Sequence, residues 1–301
     1  MLCYNLAWKR QHRRKDVINL QTLANLNVPL WDSHIHIFPK KVMCALYTFF
    51  YKHYQLELPF SANPETLLQH LREQGVNKAF ALVYTHKPGL SRGLNKWLFN
   101  LCSAQTWLAP FGAMHPNDPD LLKVVTECLD QYRFPGIKLH CLVQQCRPDN
   151  EKLFPIYEIL VKRSKGIIIH ASNFPLSAEG YLGINYIANL LKHFPTLSLV
   201  VPHLGLYDLQ KYRTLLEKYE GLFLDTSFVF QNQGFTPPLD EIVEMVLDYP
   251  DRFIYGSDYP FILEPPQEGI RRILELNLPR DIYRSLFYRN AAHFLGKISA
   301  Q

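Results

Sequence analysis

The sequence predicts an α/β fold, a single-domain (β/α)8 TIM-like barrel with an insertion after the first strand. Three observations lead there. Eight short apolar or β-branched runs recur along the 301 residues, each is followed by a stretch with helical periodicity, and from the second run onward they start 24 to 32 residues apart. Such spacing suits one strand and one helix per unit. A doubly wound open sheet would be the rival, but no G-x-G-x-x-G follows the first run and no G-x-x-x-x-G-K-[ST] occurs.

The strands are expected at Leu30–Ile37, Lys78–Thr85, Leu108–His115, Gly136–His140, Gly166–Ala171, Leu197–His203, Gly221–Ser227 and Phe253–Asp258. Runs such as "GIIIHAS" and "LSLVVPH" are apolar on consecutive residues, as befits parallel strands covered on both faces. Between them, Asn63-Pro64-Glu65 opens a helix with a capping Asn and Pro at the first helical position, and Gly75 ends it. "DLLKVVTECLDQY" and "LFPIYEILVKRSKG" carry the helical period as well. About 40 residues separate the first two strands, and their first part, "FPKKVMCALYTFFYKHYQLELPFS", is dense in aromatics. This excursion is expected either to lie over the barrel as a lid or to pack on its wall.

Composition supports one globular unit: 48% hydrophobic, 20% charged and 13% aromatic residues, with no apolar stretch approaching the roughly 20 residues of a membrane helix. The net charge of +5 is concentrated at one end. Residues 1–28 hold five basic side chains against Asp16, leaving 27 basic and 26 acidic side chains in residues 29–301. A basic leader (1–28) is therefore expected ahead of a nearly neutral barrel (29–301), which argues against nucleic acid and membrane as partners. No apolar h-region follows the basic residues, and six scattered cysteines form no C-x-x-C pair. A cytoplasmic location fits both.

Histidine placement carries the functional signal. Seven of twelve histidines (His34, His36, His86, His115, His140, His170 and His203) fall in or just past the C-terminal halves of the first six strands. In a (β/α)8 barrel these ends converge on the face that carries active sites. In "WDSHIHIF", His34 and His36 share strand parity and project to the same side, two imidazoles of a borderline-metal site; Asp32 shares their parity. His170 ends "GIIIH", His203 ends "LVVPH" and Asp258 ends "FIYGSDYP".

With these five residues in order, the chain from about Leu30 to Leu295 resembles the amidohydrolase superfamily, and within it the amidohydrolase-2 branch of metal-dependent hydrolases and non-oxidative decarboxylases. The resemblance implies that His34, His36, His170 and Asp258 bind one divalent metal, most simply Zn²⁺, with Asp258 also moving a proton. It places His203 beside the reacting water, where it would polarise a carbonyl or stabilise an oxyanion. On the fourth strand Lys138 and His140 face inward. Lys138 or His140 is expected to bind an anionic substrate group; Lys138 would instead bridge a second metal if carboxylated, or pair with Asp225. Asp225 and His115 are expected to shape the substrate pocket, and Arg147 either meets a substrate carboxylate or stays solvated.

Three functions are thus in view: hydrolysis of a C–N or C–O bond in a cyclic amide, lactone or ester; decarboxylation of an aromatic or unsaturated carboxylate; and ligand binding without catalysis. The last would be marked by missing metal ligands, and none is missing. A small molecule is the expected partner, and a homodimer is expected by analogy with other barrels.

Overall fold

The computed structural model describes residues 27–173, 180–231 and 236–299. The basic leader and Cys3 lie outside them, apart from the leader's last two residues. Eight parallel strands follow one another in chain order: β1 (Leu30–His36), β2 (Val76–Leu82), β3 (Leu108–Ala113), β4 (Gly136–His140), β5 (Gly166–His170), β6 (Ser198–Val201), β7 (Leu222–Asp225) and β8 (Phe253–Ile254). The ring is drawn together between β8 and β1. Ser33 N donates to Tyr255 O at 2.8 Å, Asp258 N to His34 O at 2.9 Å and His36 N to Tyr259 O at 2.8 Å. The barrel expected from the sequence is the barrel observed.

The segment between β1 and β2 forms α1 (Lys40–Tyr54) and α2 (Pro64–Glu73). In α2 the expected cap is present, Asn63 accepting from Glu65 N at 2.9 Å with Pro64 in the first turn, and Gly75 adopts φ 81° just past the end. α1 buries only Met43 fully, but its Phe50 ring reaches Phe261, 5.3 Å away, at the end of the chain's last β–α turn. The remaining helices are α3 (Ser91–Ser103), α4 (Leu121–Thr126), α5 (Cys141–Gln144), α6 (Phe154–Lys162), α7 (Ile184–His193), α8 (Tyr212–Lys218), α9 (Leu239–Asp248), α10 (Pro266–Leu274), α11 (Arg280–Arg284) and α12 (Asn290–Ser299). Most pack an apolar stripe on the outside of the barrel.

Inside, parity sorts the side chains into two layers. Phe80, Phe111, Ile168, Val200, Phe223 and Ile254 point inward near the strand starts, and Ala291, Phe294 and Ile298 of α12 close that end against them. Phe294 stands 5.4 Å from Phe223 and 6.2 Å from Phe80, ring to ring. Gly136 has no room for a side chain, because a Cβ would fall on the Gly166 carbonyl oxygen of the next strand. Two residues past Ile168 and Phe223 the interior becomes polar, with His170 and Asp225.

Several strands stop short of expectation: β2 at Leu82, β3 at Ala113, β6 at Val201, β7 at Asp225 and β8 at Ile254. Past β6 and β8 the chain turns sharply: His203 has φ 62° and Asp258 φ 71°. Both lie in the left-handed region that non-glycine residues avoid, a strain that the surroundings must hold in place. Five cysteines (Cys44, Cys102, Cys128, Cys141 and Cys146) are free, and Cys141 and Cys146 are buried with thiols pushed up by burial. Among the described residues no helix is long and apolar enough to cross a membrane.

Candidate metal centre and active site

β1 delivers Asp32, His34 and His36 to the mouth of the barrel on one parity, β4 delivers Lys138 and His140, β5 His170 and β7 Asp225. The turns after β6 and β8 bring in His203 and Asp258. His34 Nε2, His36 Nε2 and Asp258 Oδ1 form a triangle with edges of 3.3, 3.4 and 3.2 Å. Two donors about 2.1 Å from one ion at tetrahedral or octahedral angles are about 3.0–3.4 Å apart, so the triangle matches one face of a coordination shell. All three residues are buried.

Proton placement around the triangle agrees. His34 Nδ1 lies 2.7 Å from Asp225 Oδ2; donating there, it leaves Nε2 with a free lone pair. Burial, reinforced by the nearby Lys138, keeps the His34 imidazole well below its ordinary value, and burial lowers His36 too. Both rings are therefore neutral and able to ligate. Burial alone would raise the Asp258 carboxyl, but the hydrogen bond with His36 and the electrostatic pull of the surrounding imidazoles outweigh it and hold it below the usual range.

Asp225 is wholly buried, so it shapes the mouth from beneath and not as a substrate contact. Besides His34 it accepts from His203 N at 3.1 Å, Ser227 N at 2.9 Å and the Ser227 hydroxyl. Ser227 shares the parity of Asp225 in "DTS", the one sign in the sequence that pointed to it. His203 Nδ1 lies 2.9 Å from the Ser227 carbonyl oxygen, which can only accept, so this nitrogen carries the proton. His170, kept neutral by burial, can donate from Nδ1 to His203 Nε2 at 3.0 Å, which leaves the lone pair of its own Nε2 free. His170 stands outside the 4.8 Å group of three donors, beside it in the same cluster of rings. Both nitrogens of His203 are engaged, which suits orienting His170 better than polarising a substrate.

The β4–β5 register pairs His140 with His170, and their rings stack at 4.0 Å. Lys138 is fully buried, its Nζ 3.4 Å from His34 Nε2, and burial pushes it down to about 8 against the pull of Asp225 and Asp258. An ammonium and a metal cannot share that nitrogen, so Lys138 must swing aside, lose its proton or be modified when a metal is held. Asp32, raised to about 7 by burial, accepts from His34 N at 3.1 Å and Ser257 N at 3.0 Å.

His115 and Arg147 stand apart from this wiring. His115 bonds within its own turn, to Asp118 and Asn117, and Arg147 is engaged by Asp149 at 2.9 Å and by the Tyr186 ring. An aromatic wall completes the mouth: Phe38, Tyr84 and Phe261 surround the His36 ring at 6.3, 5.4 and 5.1 Å.

A family model described as amidohydrolase matches residues 31–297. No curated protein matches the chain in sequence. Solved structures are similar in fold. An uncharacterised TIM-barrel protein from Bordetella bronchiseptica is 16% identical with a TM-score of 0.69, covering 89% of this chain and 99% of its own. A 5-carboxyvanillate decarboxylase from Novosphingobium aromaticivorans, solved with bound manganese, is 16% identical with a TM-score of 0.65, covering 90% and 98%. A 4-oxalomesaconate hydratase from Rhodopseudomonas palustris is 16% identical with a TM-score of 0.58, covering 90% and 97%.

Proposed function

The chain belongs to the amidohydrolase family of metal-dependent enzymes, and we propose that within it this protein hydrolyses a C–N or C–O bond of a small molecule such as a lactone, cyclic amide or ester. One observation carries the reading. Asp258 is held ionised beside two neutral imidazoles, so it is ready to accept a proton and poorly suited to begin by giving one.

His34, His36 and Asp258 would hold a divalent ion, with His170 joining from β5, and Zn²⁺ fits the nitrogen-rich set. When bound, the ion supplies Lewis acidity and lowers the pKa of a water. Asp258 takes the proton of the attacking water and returns it to the leaving group. Asp225 fixes the His34 ring, Ser227 and His203 fix His170, and Lys138, once swung clear of His34, would attract an anionic group of the substrate. A second reading, decarboxylation of a flat carboxylate, is favoured by the aromatic wall, and the manganese-containing decarboxylase of similar fold makes Mn²⁺ the alternative ion to test.

Protein loaded with zinc or manganese is to be incubated with lactones, cyclic amides, esters and aromatic acids, with acid release and CO₂ read separately. Acid release without CO₂ is expected, and Asp258→Asn should lower turnover by about 10³-fold while the thermal midpoint is kept. CO₂ as the product, or an active Asp258→Asn variant, overturns the hydrolytic reading.

A further inference from the structure

Tyr84 takes no part in the wiring just described. It lies two residues past β2 and continues the inward face of Phe80 and Leu82. Its ring stands 4.7 Å from His140 and edge-on to His36 at 5.4 Å, so it bridges the β1 and β4 sides of the mouth. The residue is half-buried, and among the described residues its hydroxyl has no hydrogen-bond partner.

His140 faces it. Its Nδ1 lies 3.5 Å from Val143 N at the start of α5, its ring stacks on His170 at 4.0 Å, and its Nε2 is left for a ligand. A phenol and an imidazole thus sit side by side near a lysine and an aromatic wall.

We propose that Tyr84 and His140 form a binding pair for the carboxylate or carbonyl oxygens of a small flat substrate, with the Tyr84 hydroxyl donating directly and Phe38 and Phe261 flanking the ring. The proposal rests on the mouth being the active site, and not on which bond is broken there.

Benzoate binding to the zinc-loaded full chain, followed by calorimetry, tests it. The wild type should bind benzoate, and Tyr84→Phe, which removes only the hydroxyl, should weaken binding about tenfold with zinc content and thermal midpoint unchanged. Tyr84→Leu should weaken it further by removing the ring. Equal affinity of wild type and Tyr84→Phe overturns the proposal, as does a wild type that ignores benzoate. A protein that releases CO₂ yet loses benzoate on Tyr84→Phe keeps this inference and refutes the hydrolytic one.

Discussion

Phe80, Phe111, Phe223 and Phe294 fill one end of the barrel, and His34, His36, His140, His170 and Asp258 gather at the other; β5 and β7 contribute to both layers on one parity, through Ile168 and His170 and through Phe223 and Asp225. At the hydrocarbon end nothing needs a partner, and close packing suffices. At the polar end nearly every group must be satisfied individually, and the bonds through Asp225 and Ser227 do this for His34, His203 and, one ring further, His170. Two buried atoms escape, Asp32 Oδ2 and His36 Nδ1. The contrast teaches that the barrel places its stability and its chemistry at opposite ends, so each can be disturbed alone.

The largest break of that contrast is at the apolar end. Phe294→Ala should cost about 3–5 kcal/mol in denaturant unfolding, because a fully buried ring is lost from a layer that cannot collapse. Zinc bound per folded chain should stay as it was, and a loss of zinc would show the two ends to be coupled.

Next in size is an acid effect at the polar end of the metal-free protein. Burial lowers His34, His36, His140 and His170, so the unfolded chain takes up their protons first and stability falls as pH drops below about 6.5. Asp32 and Asp225, raised by burial, oppose this by binding protons in the folded state. Four lowered rings outnumber two raised carboxyls, so the net effect expected is a loss of stability as the pH falls through the range where the unfolded histidines take up protons. Unfolding free energies between pH 7 and 5 measure it, and a flat profile would mean that the rings stay charged in the fold.

The smallest effect is the sharpest in place. Asp225→Asn keeps the shape but weakens the hold on His34 Nδ1, and zinc affinity should fall about 10–100-fold in competition with a chelator. Unchanged affinity would remove Asp225 from the metal's support.

The eight strands were legible because consecutive apolar residues and regular spacing are properties of the chain alone, and the histidines at their ends followed from parity. His34, His36 and Asp258 come together as that reading requires. What parity does not carry is the turn beyond a strand. His203 and Asp258 leave their strands through left-handed backbone, and where their side chains then point depends on Ser227 and on the β8–β1 closure, contacts 24 and more residues away. Tyr84 was within reach of the inward pattern of "FALVY" but carried no metal-like chemistry to single it out. The role of α12 was hidden for another reason: its apolar stripe reads like that of any outer helix, and only the closed ring shows it seated across the barrel's end.

That seating of α12 also governs traffic. With Phe294 and Ile298 plugging the floor, the described residues close that end of the barrel, so a molecule released at the His34–His36–Asp258 triangle would leave on the side by which the next one enters. Under the proposed hydrolysis, an acidic product would therefore compete on its way out with the following arrival.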